Sequence, residues 1–310
     1  MSTPVSLIMP AYNAAPYIGE AIRSVLAQSH TAWELIIVDD GSTDATARIA
    51  RSFTDPRIHV YASTGQTGAA AARNLGFAQA RHNWLMFLDA DDRLRPQALG
   101  SLLSAATQKP EAGVIYADYE RMTVQGQLTG LRRWLPRPSR PTGDVLPAFL
   151  YRNHIVNGGT ALIRRAPLEA IGGWNPELRS SNDWALWCLL ASITPFHYMR
   201  GLTALEYRDV PTGITRQHNT GREKLEPAID FVFTHPLVRA RLGEDELKHI
   251  RQRKEGRVHL FFALQQARAR HWRAAFDGLW RGLKLDPANS PLALAEFTLA
   301  LVDGCLARPR

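Results

Sequence analysis

The 310-residue sequence is poor in cysteine: there are only two, Cys188 and Cys305. They lie far apart in segments that read as helical. That excludes a disulfide framework or a cysteine-ligated zinc site and points to buried thiols in a reducing compartment. No run of about 18 uncharged apolar residues occurs, so no membrane span is expected. The nearest approach, Pro291 to Ala307, is broken by Glu296 and Asp303. The N-terminus lacks a basic segment followed by an apolar core, the pattern of a secretory leader. No Gly-x-Gly-x-x-Gly turn follows the first apolar run. Pro10-Ala11-Tyr12-Asn13 stands there instead, which argues against a dinucleotide oxidoreductase. Acidic residues are in deficit, 29 against 37 Lys and Arg, leaving a net charge of +8. Such a balance favours anionic partners: phosphates, nucleic acid or an anionic membrane surface. The basic residues cluster. Arg121, Arg132, Arg133, Arg137 and Arg140 fall in one stretch without an acid, and Arg239 to Arg281 is rich in Arg and Lys. Solvated helix faces produce the same pattern.

A 45% hydrophobic and 21% charged composition is that of a folded globular protein, and the length allows about two domains. The first hundred residues alternate. Val5–Met9, Glu34–Val38, Arg57–Tyr61 and Trp84–Leu88 read as buried strands. Between them Pro16–Gln28, Thr43–Phe53 and Gly68–Ala80 read as helices, and Pro96–Ala106 follows as another. Pro16 suits a first helical turn and Ser42 an N-cap. Strands alternating with helices through short links predict an α/β fold, a mostly parallel sheet flanked by helices. Ligands bind such sheets at the carboxyl ends of the strands. Three polar clusters fall there: Pro10 to Asn13, Asp39-Asp40-Gly41-Ser42, and Asp89-Ala90-Asp91-Asp92. Crowded carboxylates at a strand end are costly without a cation, and Mg2+ or Mn2+ takes oxygen ligands that it shares with phosphates. The plain alternative is an acidic turn, with Asp92 capping the helix near Pro96.

The middle, Gly113 to about Tyr207, is less regular. Asn157-Gly158-Gly159 precedes an apolar strand at Thr160–Ile163, Ile171 to Pro176 is a turn-rich link, and Asp183–Ala191 reads as a helix rich in Trp and Leu. Asp209 to Gly221 has the Gly and Pro of a boundary or loop. Val258–Ala269 and Trp272–Leu285 form a helical pair. Only one such unit is present, so no solenoid is expected.

Four motifs occur in order: Ser6-Leu7-Ile8-Met9-Pro10-Ala11-Tyr12-Asn13, Val38-Asp39-Asp40-Gly41-Ser42-Thr43-Asp44, Ala72-Arg73-Asn74-Leu75-Gly76 and Phe87-Leu88-Asp89-Ala90-Asp91-Asp92. With Gly172-Gly173-Trp174 and Asn182-Asp183-Trp184, the chain resembles a family 2 glycosyltransferase with the GT-A (Rossmann-like) fold, of the bacterial, non-processive type. The resemblance covers residues up to about 210. It implies a catalytic domain over 1–215 and a helical C-terminal region over 216–310.

The resemblance also distributes roles. Tyr12 matches the residue that stacks on the nucleotide base, Asp39 the acceptor for a pyrimidine N–H, and Arg73 a group near the diphosphate. Pro10, Asn13, Asp40 and Ala90 belong to the same donor-binding loops. Asp89 matches a ribose-side contact and Asp91 the ligand of Mn2+ or Mg2+, while Asp92 assists or only caps. Asp183 matches the catalytic base of inverting transfer. Asn182 stands where the family usually has glutamate. Trp174, Asn182 and Trp184 are acceptor-side candidates, with Trp187 beside them, though such tryptophans also serve as core. His154, Tyr207-Arg208 and Arg216-Gln217-His218 are weaker candidates, with His218 as a stand-in for a loop histidine. No Gln-x-x-Arg-Trp motif is present, which argues against a processive synthase.

The expected function is transfer of a sugar from a nucleotide diphosphate sugar, UDP-linked, to a glycan or lipid-linked acceptor in cell-surface polysaccharide synthesis. The expected location is cytoplasmic, peripheral at the inner face of the membrane and held there by the helical tail, with no specific nucleic acid. A non-catalytic nucleotide-sugar or nucleic-acid binding protein is the alternative. A nucleic-acid binder would bind DNA or RNA tightly and salt-dependently and be indifferent to mutation of Asp91.

Overall fold

The computed structural model describes residues 3–129, 140–210 and 224–289, together with Leu294. Arg132, Arg133, Arg137, the Arg216-Gln217-His218 cluster, the 291–307 stretch apart from Leu294, and Cys305 lie outside them. Three buried, mostly apolar strands lie side by side: β1 (Val5–Ala11), β2 (Trp33–Asp39) and β4 (Trp84–Phe87). The half-buried β3 (Ile58–Ala62) flanks them at the sheet edge. Buried on both faces, such strands need helices on each side. Here α1 (Ile18–Leu26), α2 (Thr46–Arg51) and α4 (Ala98–Gln108) cover one face, and α3 (Ala69–Gln79) and α7 (Asn182–Ile193) the other.

The full sheet has eight strands in the order β3-β2-β1-β4-β7-β6-β8-β5. β5 is Arg93–Leu94, β6 Val114–Met122, β7 Ala161–Arg164 and β8 Phe196–Arg208. Pairing is parallel from β3 to β4 and between β6 and β8, and antiparallel at β4–β7, β7–β6 and β8–β5. The segment read as irregular thus supplies two long strands. Their burial does not alternate cleanly, and β8 carries Gly201 and register shifts against β6, so a period-2 signal is absent.

The N-terminal helices lie where the periodicity puts them, with shorter ends. The expected Ser42 N-cap is corrected: α2 starts at Thr46, whose N–H is received by Asp44 Oδ1 at 2.9 Å. Ser42 instead accepts from the Asn13 N–H at 3.0 Å. Asp92 caps nothing, because α4 begins at Ala98 behind Gln97.

Beyond the sheet, α5 (Leu146–Tyr151), α6 (Arg165–Ala170), α8 (Glu226–Thr234), α9 (Pro236–Arg239) and α10 (Glu244–Arg268) follow. Val232, Phe233, Val238, Leu247, Ile250 and Val258 join the same apolar core as α3, α5 and α7. From α8 to Val258 of α10 the helices after residue 224 therefore share a core with the sheet. α11 (Trp272–Leu285) packs on α10 through a small cluster around Ala263, Ala267, Ala275 and Leu279. No helix among the described residues is long and apolar enough to cross a membrane.

Candidate active site

The strand register brings the polar clusters to one rim. Ala11 is level with Asp39, and Ile8 with Phe87. The loop after β1 leaves the Tyr12 ring 43% exposed. Asn13 takes a left-handed backbone at φ 48, and its Oδ1 accepts from the Thr43 N–H at 2.9 Å. It fastens the first loop to the second. Pro10, still within β1, is half-buried.

The two neighbouring acids on β2 part ways. Asp39 is buried, and its Oδ1 has no hydrogen-bond partner among the described residues. An orphaned buried acceptor is costly, so it is a place where a ligand donor fits. Asp40 is saturated instead. It accepts from Ser63 Oγ at 2.9 Å, Thr67 N at 2.9 Å, Thr67 Oγ1 at 2.7 Å and Gly68 N at 2.7 Å. Burial pushes its carboxyl up, but these donors outweigh burial and hold it below the usual range. Asp40 holds the start of α3, and the expectation of a direct donor contact is corrected accordingly.

α3 lies tight on the sheet. A Cβ at Gly76 would fall 2.5 Å from Ile8 Cγ2, so only glycine allows this approach. The approach sets Arg73 over the rim. Its Nη2 bonds Asp89 Oδ1 at 2.7 Å, and its guanidinium stacks 4.4 Å from the Trp174 ring centre. Its Nε is buried and unpartnered among the described residues, a donor left for an anion.

The three acids after β4 have three different environments. Asp89 is held by Arg73 and by Asn157 Nδ2, which donates to its Oδ2 at 2.9 Å. Asp92 is fully buried; Asn157 Nδ2 donates to it at 2.6 Å and the Arg208 N–H at 2.7 Å. Burial, with Asp91 and Asp89 adding like charge, pushes the Asp92 carboxyl well up. Asp91 receives no side-chain hydrogen bond among the described residues. Burial, then the charge of Asp89, pushes it up to about 6. Ala90 between them is buried. Asp91 is therefore the carboxylate that a cation would relieve, and the donor set fits a divalent ion completed by phosphate oxygens and water. No group of three or more acids, histidines or cysteines converges as a protein-only cage among the described residues.

Arg208 locks this turn from below. Its Nε donates to the Asp91 carbonyl at 2.8 Å and its Nη2 to Glu20 Oε2 at 2.5 Å, while the side chain is buried. Gly158 lets the Asn157 turn reach β4, since a Cβ there would lie 2.7 Å from the Phe87 carbonyl oxygen.

Asp183 lies in the first turn of α7, behind Ser181 at φ 55. Asn153 Nδ2 donates to its Oδ2 at 2.8 Å. Burial raises its carboxyl; hydrogen bonds from the Trp184 backbone and Asn153, and then the charge of Arg73, pull it down, and Asp89 opposes them. Asp183 thus feels the charges of Arg73 and Asp89, the pair bonded at the turn after β4.

The acceptor-side expectations are corrected by burial. Trp174 is 2% exposed, with its backbone N–H bonded to Asn74 Oδ1 at 2.9 Å and its ring edge to Phe87. Trp184 donates Nε1–H to the Phe149 carbonyl at 2.7 Å. Asn182 donates Nδ2 to the carbonyls of Asn175 and Leu178, and Trp187 is fully buried. These groups brace the site wall and offer no open sugar platform. His154 packs on Phe149, and burial with Arg152 and Arg140 lowers it to about 4, leaving it neutral.

Asn153, Asn157 and the full role of Arg208 escaped the sequence reading. The signal for Asn157 was present: an amide before two glycines that open a buried strand.

The model of the family described as glycosyl transferase family 2 matches residues 6–172. TuaG of Bacillus subtilis (strain 168), a glycosyltransferase named for teichuronic acid biosynthesis, is 34% identical over 213 residues, covering 68% of this chain and 81% of TuaG. The structure of S. aureus TarS 1–349 with UDP-GlcNAc superposes with a TM-score of 0.67 at 16% identity, over 97% of this chain and 89% of that one. The mannosyltransferase PcManGT of Pyrobaculum calidifontis, with GDP-Man and Mn2+, gives 0.61 at 19%, over 100% of this chain and 89% of that one. At such identities the two structures speak to the fold alone.

Proposed function

The chain belongs to glycosyl transferase family 2 and has the GT-A fold. From that premise we propose that it is a metal-dependent, inverting enzyme that moves a sugar from a UDP-sugar to a glycan or lipid-linked acceptor in cell-surface polysaccharide synthesis. One observation carries the reading: Arg73 bonds Asp89 in the Asp89–Asp91 turn, and the charges of that same pair act on the half-buried Asp183.

Tyr12 stacks on the uracil, which suits an exposed ring at a strand end. Asp39 Oδ1 accepts the uracil N–H, filling its vacant valence. Arg73 Nε donates to the diphosphate, and Asp89 stands at the ribose side. Asp91 would hold Mn2+ or Mg2+, which offsets charge on the leaving diphosphate when bound. Asp183 takes the acceptor hydroxyl proton as that oxygen attacks the anomeric carbon, and the sugar–phosphate C–O bond breaks with inversion. Residues 1–215 would form the catalytic unit and 216–310 a helical region, of which α8 and α9 pack on α7. Exposed Phe261 and Trp280, with Lys284 4.9 Å from the Trp280 ring centre, support peripheral binding to an anionic membrane, from the cytoplasmic side. Failure to cosediment with phosphatidylglycerol vesicles at low salt would remove that part.

The test is release of nucleoside diphosphate from a panel of nucleotide sugars with Mn2+. Asp91→Ala and Asp183→Asn should each lower the rate by about 100-fold or more. An unchanged rate in the first removes the metal role, and in the second the base.

A further inference from the structure

The turn that closes α5, Tyr151 to Ile155, is fastened from several directions. Tyr151 donates its hydroxyl to Asp286 Oδ2 at 2.7 Å, and Arg253 Nε bonds the other oxygen of Asp286 at 3.0 Å. The His154 carbonyl takes a hydrogen bond from Arg140 Nη1. Arg140 belongs to the basic stretch noted in the sequence, yet it is no solvated surface charge. Its Nε pairs with Asp118 Oδ1 at 2.8 Å, and the Tyr198 hydroxyl donates to Asp118 Oδ2 at 2.6 Å. Ile155 lies in the main core, and its N–H donates to Asn153 Oδ1 at 3.1 Å. Asp118 and Asp286 are both buried. Buried ion pairs add little net stability, because desolvation offsets their attraction. Their effect at this place is geometric: they hold one short turn in one conformation.

The side chain that this turn presents to the candidate base is Asn153. The Ile155 N–H can only donate, so the amide atom facing it is the oxygen. That leaves the NH2 group toward Asp183, and Nδ2 donates to Asp183 Oδ2 at 2.8 Å. An N–H donor favours the charged carboxylate over the neutral acid. Ser181, at φ 55, gives the first turn of α7 no side-chain cap. Among the described residues, Asn153 is the one side chain that hydrogen-bonds the Asp183 carboxylate, beside the Trp184 backbone.

We propose that Asn153 is a positioning residue for Asp183: the braced turn aims its amide so that the carboxylate is held ionised and in one orientation. The consequence for turnover rests on the reading of Asp183 as the base; the hydrogen bond does not. The other charged or titratable groups whose fields link them to Asp183 are Arg73 on α3, Asp89 after β4, Cys188 on its own helix and Lys254 on α10. A substitution at Asn153 leaves each of them in place.

The test is a carboxyl-13C aspartate NMR titration of the full chain, with the Asp183 signal assigned by its loss in Asp183→Asn. Asn153→Ala should raise the Asp183 midpoint by about one unit, about tenfold in proton affinity. Asn153→Asp has the same shape and still accepts from the Ile155 N–H, so it keeps the turn where Asn153→Ala fails to fold. It sets a second carboxylate against Oδ2, and the higher of the pair's two midpoints should rise further still. A midpoint that moves in neither folded variant overturns the proposal. In diphosphate-release assays, Asn153→Ala should lower kcat by about tenfold, leave the donor KM within about twofold, and move the acid limb of the kcat profile up with the NMR midpoint. The parent's kcat and acid limb in Asn153→Ala, where Asp183→Asn is slow, also overturn the proposal. If Asp183→Asn is as fast as the parent, the base reading fails, and the NMR midpoint alone decides whether Asn153 holds Asp183.

Discussion

Asn157→Ala should destabilise the protein in a pH-dependent way. The amide donates to Asp89 at 2.9 Å and to the fully buried Asp92 at 2.6 Å, and accepts from Gly159 N at 2.7 Å. Hydrogen bonds to charged groups contribute about 1.5–3 kcal/mol each, so losing two of them and the turn bond costs about 4 kcal/mol at pH 8. Part of that loss is titratable. The Asp92 carboxyl is raised by burial and by Asp91 and Asp89. Between the ordinary value of 3.8 and its raised value, the native state holds a proton that the unfolded chain has released. Stability therefore falls as pH rises through that window. Removing Asn157 raises Asp92 further and extends the window upward. Towards the acid end of that window a protonated Asp92 loses only weaker bonds, about 2 kcal/mol. Urea melts at pH 5 and pH 8 in chelator should thus give deficits differing by about twofold, the larger at pH 8. Equal deficits at the two pH values, or less than about 1 kcal/mol at pH 8, would refute the reasoning.

Asp40→Ala should cost about 3 kcal/mol, because the donors of Ser63, Thr67 and Gly68 lose their acceptor. Its lowered carboxyl contributes stability above 3.8 that is lost as pH falls through the folded value. Asp40→Asn should accordingly flatten the acid limb of a stability-versus-pH curve. Tyr12→Ala should leave the melting temperature within about a degree, as the ring is exposed, while raising the donor KM by about tenfold in steady-state assays. Gly158→Ala should lower the melting temperature in a thermal scan by several degrees, since its Cβ would meet the Phe87 carbonyl.

Of the fold, the alternating half was legible because β1, β2 and β4 are buried on both faces and read as unbroken apolar runs. Their parallel register then fixes which polar residues share a rim, so Tyr12, Asp39 and the Asp89–Asp92 turn could be grouped from sequence. Strands β6 and β8 were not legible. They pair with each other across register shifts; β6 sets Asp118 into a buried run, and the patchily buried β8 leaves no period to read.

The sequence by itself determined where carboxylates stand, because strand ends and helix starts follow from local periodicity. Only the tertiary structure decided what each carboxylate does. Asp40 turned inward to α3 and Asp39 kept a vacant oxygen, though they are adjacent on one strand. Asp89 and Asp92 were filled by Asn157, 68 and 65 residues away, and the turn was locked by Arg208 from 117. Asp91 was left with no side-chain hydrogen bond among the described residues, its carboxyl raised by burial and by Asp89. Hydrogen-bond partners and counter-charges are chosen by distance in space and by exclusion of water, and neither is written in neighbouring residues.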